Sequence, residues 1–182
     1  MINSILKSLG LSIFCSCLLF SASALSLDTD RDTLSDKWEL DNNRDPLTAD
    51  YQVSSGGYHA CALDDVGVQC WGRNTSGQAR PPAFSLPTQI SGGNAHTCAL
   101  YDLRVRCWGS NAQGQTDVPA LSNPTQVSAG YDHTCALDDN GVQCWGHNNF
   151  GEADVPALSN ASQLDAGDEH TCALDDDGVK CW

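Results

Sequence analysis

Basic side chains are scarce in this chain. It carries 9 Lys and Arg against 23 Asp and Glu in 182 residues, a net charge of −14. So acidic a chain repels phosphate backbones and anionic lipid, which argues against nucleic acid and membrane surfaces and leaves divalent cations or a basic protein as natural partners. Long apolar runs are missing too: the one hydrophobic stretch, residues 9–20, is too short to span a bilayer as a helix. Aromatics are few, at 7%, apart from one tryptophan at a fixed place in each repeat. No serine or cysteine nucleophile stands with a matched base, so nothing nominates a catalytic centre.

The short apolar stretch has another use. Lys7 gives it a positive start, and Ala22-Ser23-Ala24 follows it with the small-x-small pattern of a cleavage site. The expectation is a signal peptide over residues 1–24 and export to the periplasm, the cell surface or the medium. Cys15 and Cys17 leave with that segment. The mature chain loses Lys7 and no acid, so its net charge is −15, and it does not insert into a membrane.

What is present in abundance is internal repetition. Cys61, Cys98, Cys135 and Cys172 stand 37 residues apart, and so do Cys70, Cys107, Cys144 and Cys181. Successive copies cover 53–89, 90–126, 127–163 and a shorter 164–182. Gln52, Gln89, Gln126 and Gln163 are in phase, as are Gly56, Gly93, Gly130 and Gly167, and then His59, His96, His133 and His170. Each copy ends its cysteine stretch on Trp71, Trp108, Trp145 or Trp182. A period of this length marks an array of one small supersecondary unit.

Two short alternating runs, residues 59–63 and 68–72, flank a turn-rich Asp64-Asp65-Val66-Gly67, which reads as a hairpin. An even-numbered loop pairs Leu63 with Val68, sets Cys61 opposite Cys70 and His59 opposite Gly72, and lets the glycine make room for the imidazole. A three-residue bulged loop would shift the register by one and part the cysteines. In an exported chain, eight thiols in pairs read first as four disulfides, Cys61–Cys70, Cys98–Cys107, Cys135–Cys144 and Cys172–Cys181. A zinc site on His96, Cys98 and Cys107 is the alternative, and it lacks a fourth ligand. Arg104 replaces the glycine of the other turns, so the second turn should differ in shape. A histidine that recurs in every copy reads as structural, with a bond to neighbouring backbone; His147, off the grid, reads as exposed. Three strands are clear in each unit, with room for a fourth. Such a sheet cannot bury both faces alone and must stack on its neighbours.

The strings H-T-C-A-L, G-V-Q-C-W-G and N-x-x-G-Q/E, over residues 52–182, resemble the regulator of chromosome condensation repeat family in its bacterial exported, cysteine-bearing form. The resemblance implies an all-β fold, a partial β-propeller of that type with four-stranded blades. Blades of the family usually number seven, so about 3.5 units of 37 residues read as a piece of a larger ring, and an open edge is a pairing liability. Family members serve as exchange factors, binding scaffolds and, in one secreted case, a β-lactamase inhibitor. The expected function is an exported, non-enzymatic binding or adhesion scaffold for a protein or glycan. The alternatives are a secreted inhibitor of an extracellular enzyme and a propeller enzyme with a channel site. The loop over residues 73–80, the most basic, is a candidate contact.

Residues 25–51 are a different kind of sequence. Asp28, Asp30, Asp32, Asp36 and Glu39 fall at positions 1, 3, 5, 9 and 12 of an EF-hand loop, and Leu34 offers its carbonyl at position 7. The stretch also resembles the calcium-binding aspartate repeats of thrombospondin type 3. Oxygen ligands of this kind suit calcium, at an affinity of about 10⁻⁴–10⁻³ M for one extracellular loop. Thr33 stands where glycine normally makes the sharp turn, and Arg31 adds a positive charge; an ordinary solvated acidic linker is the competing reading.

Overall fold

The computed structural model describes residues 52–64, 67–83 and 87–182. The segment 1–24 expected to be a signal peptide, the acidic stretch with Asp28, Asp30, Asp32, Leu34, Asp36 and Glu39, and the residues Asp65 and Val66 lie outside them. Twelve strands follow one another without a helix among the described residues. They form four antiparallel sheets of three strands each. The first holds β1 (Gln52–Ser55), β2 (His59–Asp64) and β3 (Gly67–Gly72); the second β4 (Pro87–Gly92), β5 (His96–Tyr101) and β6 (Arg104–Gly109). The third holds β7 (Gln126–Ala129), β8 (His133–Asp138) and β9 (Gly141–Gly146); the fourth β10 (Gln163–Ala166), β11 (Thr171–Asp175) and β12 (Gly178–Cys181). This is a partial propeller. Its fourth copy, short as it is, carries all three strands.

The even register holds. Leu63 pairs with Val68, His59 with Gly72 and Cys61 with Cys70, and the second and third hairpins repeat the pattern. Opposed positions place the cysteine Cα atoms 4.0–4.1 Å apart, and all four pairs are disulfide-bonded. No thiolate is left for zinc on His96, Cys98 and Cys107. The turns explain the exception at Arg104. In the first, third and fourth hairpins the left-handed conformation falls on the glycine after the turn, Gly67, Gly141 and Gly178. In the second, Asp102 and Leu103 themselves take φ of 45° and 55°, the mirror-image hairpin turn, and Arg104 is spared. Asp138 locks the third turn by accepting bonds from the amide of Asn140 and from Gln143 Nε2, both at 2.8 Å.

Each sheet has three strands, one fewer than the resemblance implies. The residues that follow form turns closed by side chains instead: Asn111 Oδ1 accepts from the amide of Thr116 and Asn148 Oδ1 from that of Ala153. Pro119 and Pro156 then withhold donors a fourth strand would need.

Sheets stack with a consistent polarity. The disulfide, leucine and valine of one sheet pack on the aliphatic and alanine residues of the next: Cys61, Leu63 and Val68 on Ile90 and Ala99, Cys98, Leu100 and Val105 on Val127 and Ala129, Cys135, Leu137 and Val142 on Leu164 and Ala173. Ile90, Val127 and Leu164 are 1–2% exposed, whereas their counterpart Val53 on the first sheet is 83% exposed. Burying such a side chain is worth roughly 1.5–3 kcal/mol, so the core resides between sheets. At the other end of the stack Val179 is also bare.

The four inner strands run side by side and are tied by side chains rather than a ladder. Gln52 Oε1 accepts from the amide of Ile90, Gln89 Oε1 from Val127 and Gln126 Oε1 from Leu164. Ser54, Ser91 and Ser128 do the same for Gly92, Ala129 and Ala166. The in-phase glutamine thus satisfies backbone donors that each inner strand would otherwise leave open.

Candidate binding cleft and the clasp between sheets

Of the four recurring histidines, His170 stands just before β11 and is exposed, while His59, His96 and His133 begin the second strand of their sheets and are buried. Their ring bonds go to side chains, correcting the expected backbone partner. His59 Nε2 lies 2.7 Å from Thr97 Oγ1, and His96 and His133 lie 2.9 Å from Thr134 and Thr171. Each threonine hydroxyl donates onward to a loop carbonyl of the preceding copy, that of Gln78, Gln115 or Glu152, at 2.8–2.9 Å. With its hydrogen spent there, the hydroxyl oxygen can only accept from the ring, so Nε2 carries the proton and Nδ1 is bare. Nδ1 of all three rings is indeed without a partner. Trp108 and Trp145 Nε1 donate to the same carbonyls of Gln78 and Gln115. Histidine, threonine, carbonyl and indole therefore clasp adjacent sheets.

Room for each ring comes from the in-phase glycine before it. A Cβ on Gly93 would run into the His96 ring and stand 2.5 Å from the Gly130 carbonyl oxygen. The glycine opposite the histidine serves a different purpose. Gly72 takes φ +98° and meets the Tyr58 carbonyl and the His59 backbone, not its imidazole.

Burial disfavours the charged imidazole. It lowers His59 and His133, and with the neighbouring histidines it brings His96 down to about 4. A base with a depressed folded pKa contributes stability above its unfolded pKa near 6.5, and that stability is lost as pH falls because the unfolded chain takes up the proton first. For His96 alone the loss is about 2 kcal/mol at pH 5, and His59 and His133 add to it. Urea midpoints should therefore drop clearly between pH 7 and pH 5; an unchanged midpoint would contradict neutral, buried rings.

His147 is not exposed as expected. It is half-buried, and its Nδ1 pairs with Glu152, whose other oxygen accepts from the amide of Phe150 at 2.9 Å. Burial works against the Glu152 carboxylate, yet these bonds hold its pKa below the ordinary value. Gln78 and Gln115 fill the same place in earlier copies, each accepting from its own loop.

The repeat keeps its cysteines, histidines, glutamines and glycines, and the two positions after the in-phase glycine differ in every copy, as do parts of the loops after each tryptophan. The pairs after the glycine are Gly57-Tyr58, Asn94-Ala95, Tyr131-Asp132 and Asp168-Glu169. The folded array gathers them at one end of the inner strands. Gly57 donates to the Gly93 carbonyl, Asn94 to that of Tyr131, and Tyr131 to those of Gly167 and Asp168. The result is an open cleft of about 460 Å³ with a glycine floor, lined by Tyr58, Asn94, Tyr131 and Asp168. Both tyrosines are exposed. The guanidinium of Arg73, the first residue of the basic loop, lies 5.5 Å over the Tyr58 ring and donates to Thr75. A second hollow, beside the third hairpin, is lined by Asp138, Asp139 and Asn160, and all three already hold hydrogen bonds within the fold. Among the described residues no group of His, Cys, Asp and Glu is placed to hold a metal ion.

Fold and cleft together define a partial propeller of repeated sheets with one composite recess. A profile of the regulator of chromosome condensation (RCC1) repeat matches residues 51–78 and 125–152. No curated protein sequence matches the chain. Among solved structures it is similar to the ectodomain of the Physcomitrella patens receptor kinase CR4, at 28% identity and a TM-score of 0.63, over 72% of this chain and 40% of that one. It is similar to the ectodomain of the Arabidopsis thaliana receptor kinase ACR4, at 26% identity and 0.58, over 71% and 49%. Prp20p from Saccharomyces cerevisiae shares the fold at 22% identity and 0.61, over 72% and 43%. The chain thus spans under half the length of these structures.

Proposed function

We propose that this chain is an exported, non-enzymatic binding module, and that its ligand, a protein or a glycan, occupies the cleft. The observation that carries the reading is a division of labour within the repeat: the cysteines, histidines, glutamines and glycines that build the sheets recur, while the two positions after the in-phase glycine differ in every copy, and one or both of each pair line a single recess. In repeat proteins, variation mapped to one face marks a contact surface. Buried histidines whose Nε2 bonds are filled within the clasp favour a structural role over catalysis. Four disulfides favour an oxidising compartment, and the receptor-kinase ectodomains are extracellular parts of their own proteins. Prp20p, which binds Gsp1p and histones, is a fold-mate that engages proteins. Calcium at residues 28–39 is a further proposal that rests on spacing alone; calorimetric heat abolished by Asp30→Ala would be its signature.

The test is to make all four pairs alike. Converting each to the Asn-Ala of the second copy touches no sheet pairing and removes one side-chain bond beside the clasp, that from Gln115 Nε2 to Asp132, which the second copy already does without at Gln78. Against protein and glycan arrays the wild-type chain should give signals that this variant loses. Signals kept by the variant, or lost instead on replacing Arg73 and Arg80, would move the binding face elsewhere.

A further inference from the structure

The cleft has a chemical bias that its shape alone does not convey. Of the variable positions, Gly57, Tyr58, Asn94, Tyr131 and Asp168 line it: two tyrosines and a carboxylate, with no lysine or arginine anywhere in the lining. Asp132 and Glu169 belong to the variable pairs but not to that lining. Asp132 is already engaged, by Gln115 Nε2 at 2.9 Å. Asp168 and Glu169 are exposed. Tyr131 and Asp168 are neighbours in the floor, since the Tyr131 amide donates to the Asp168 carbonyl at 3.3 Å, and both residues line the recess. At its other edge the protein shows how this rim treats a cation, with the Arg73 guanidinium lying over the Tyr58 ring. Tyr131 offers a second ring, with Asp168 next to it in the lining and no cation of the protein's own over it in any cation–π contact among the described residues. A ring face and an adjacent carboxylate are the two groups that attract a guanidinium or ammonium from water. The net charge of −14 steers such a partner inward.

We propose that the cleft receives an arginine or lysine side chain of a basic protein segment, stacked on Tyr131 and paired with Asp168. This deepens the reading of the cleft as the binding face and rests on it. A neutral sugar would use the tyrosines and Asn94 but would gain little from the charge of Asp168 or of the acidic chain around it. An acidic ligand would be repelled by both.

The experiment uses the ¹⁵N-labelled full chain and follows the amides of Gly56, Gly93, Gly130 and Gly167. The probes are the peptide Gly-Arg-Gly-Arg-Gly, the same peptide with citrulline for arginine, and a neutral β-glucan tetrasaccharide. The arginine peptide should shift these amides in a saturable, salt-sensitive way, and the citrulline peptide should not. Tyr131→Leu and Asp168→Asn should each weaken binding about fivefold. Asp177→Asn, which removes an equal charge from the distant fourth hairpin, should leave it nearly unchanged. Shifts scattered over the acidic surface, with Asp177→Asn as damaging as Asp168→Asn, would overturn the proposal. Shifts at the glycines with the tetrasaccharide alone would overturn the cationic ligand while keeping the cleft as the binding face. If no probe moves the glycine amides, both fall. All three substituted side chains are at the surface, so the variants should keep the wild-type amide spectrum, and a lost spectrum would withdraw that variant in favour of Tyr131→Phe, which should bind as wild type.

Discussion

Reducing the four disulfides should unfold the array at neutral pH. Each bridge closes a loop of about ten residues and so contributes roughly 2.5–3 kcal/mol on the chain-entropy estimate. Together the bridges approach the whole stability of an ordinary domain, about 5–15 kcal/mol. They do more than restrain the unfolded chain, because Cys61, Cys98 and Cys135 are also buried members of the three inter-sheet cores. Little else is available to replace them: each core is built from a handful of small aliphatic side chains. The Cys172–Cys181 pair, with Cys181 exposed, should react first. Mass spectrometry of alkylated intermediates gives that order, and circular dichroism in a phosphine reductant reads the loss of structure. A reduced chain that keeps its native melting curve would show that packing and clasps suffice without sulfur.

Gly93→Ala should be strongly damaging, as should the same change at Gly56 and Gly130, which meet equally close atoms. The added methyl meets a fully buried ring on one side and the Gly130 carbonyl on the other. Neither can retreat, since the ring is held by Thr134 and the carbonyl belongs to the next inner turn. Overpacking of this kind costs at least about 3 kcal/mol where backbone is the obstacle. Gly77→Ala is the control. Gly77 takes φ +86° but faces open space, so its replacement costs only the left-handed strain, about 1 kcal/mol. Chemical denaturation of both variants separates the two effects. Gly93 has no left-handed φ of its own, so a loss no larger than that of Gly77→Ala would mean that the turn yields and the approach of His96 does not require glycine.

Much of the hairpin was legible in the sequence because its determinants are local. Nine residues separate each cysteine from its mate across an even turn, so opposing them fixes the register, and Arg104 announced a turn of another type. What escaped reading lies 38 residues away. His96 finds Thr134 and Gln89 finds the Val127 amide only after sheets have stacked, and no window along the chain contains both partners. A signal was nonetheless present. Thr97, Thr134 and Thr171 stand in the copies that follow another copy, while the first has Ala60; a hydroxyl gained wherever a neighbour precedes it is what an inter-sheet acceptor would look like. The cleft was missed for a simpler reason. Attention to what recurs passes over the pair after each glycine, and those residues come together only because the inner strands end side by side. The glycine opposite each histidine does not make room for the ring, because pairing across a hairpin does not bring it to the imidazole, which points to its own preceding turn instead.

The clasp can be examined atom by atom. A long-range ¹H–¹⁵N correlation spectrum of the histidine rings, recorded at pH 7, reports which nitrogen holds the proton. The account predicts His59, His96 and His133 neutral, with hydrogen on Nε2 alone, while their threonines are intact. Rings protonated on both nitrogens at that pH, or carrying hydrogen on Nδ1, would contradict it.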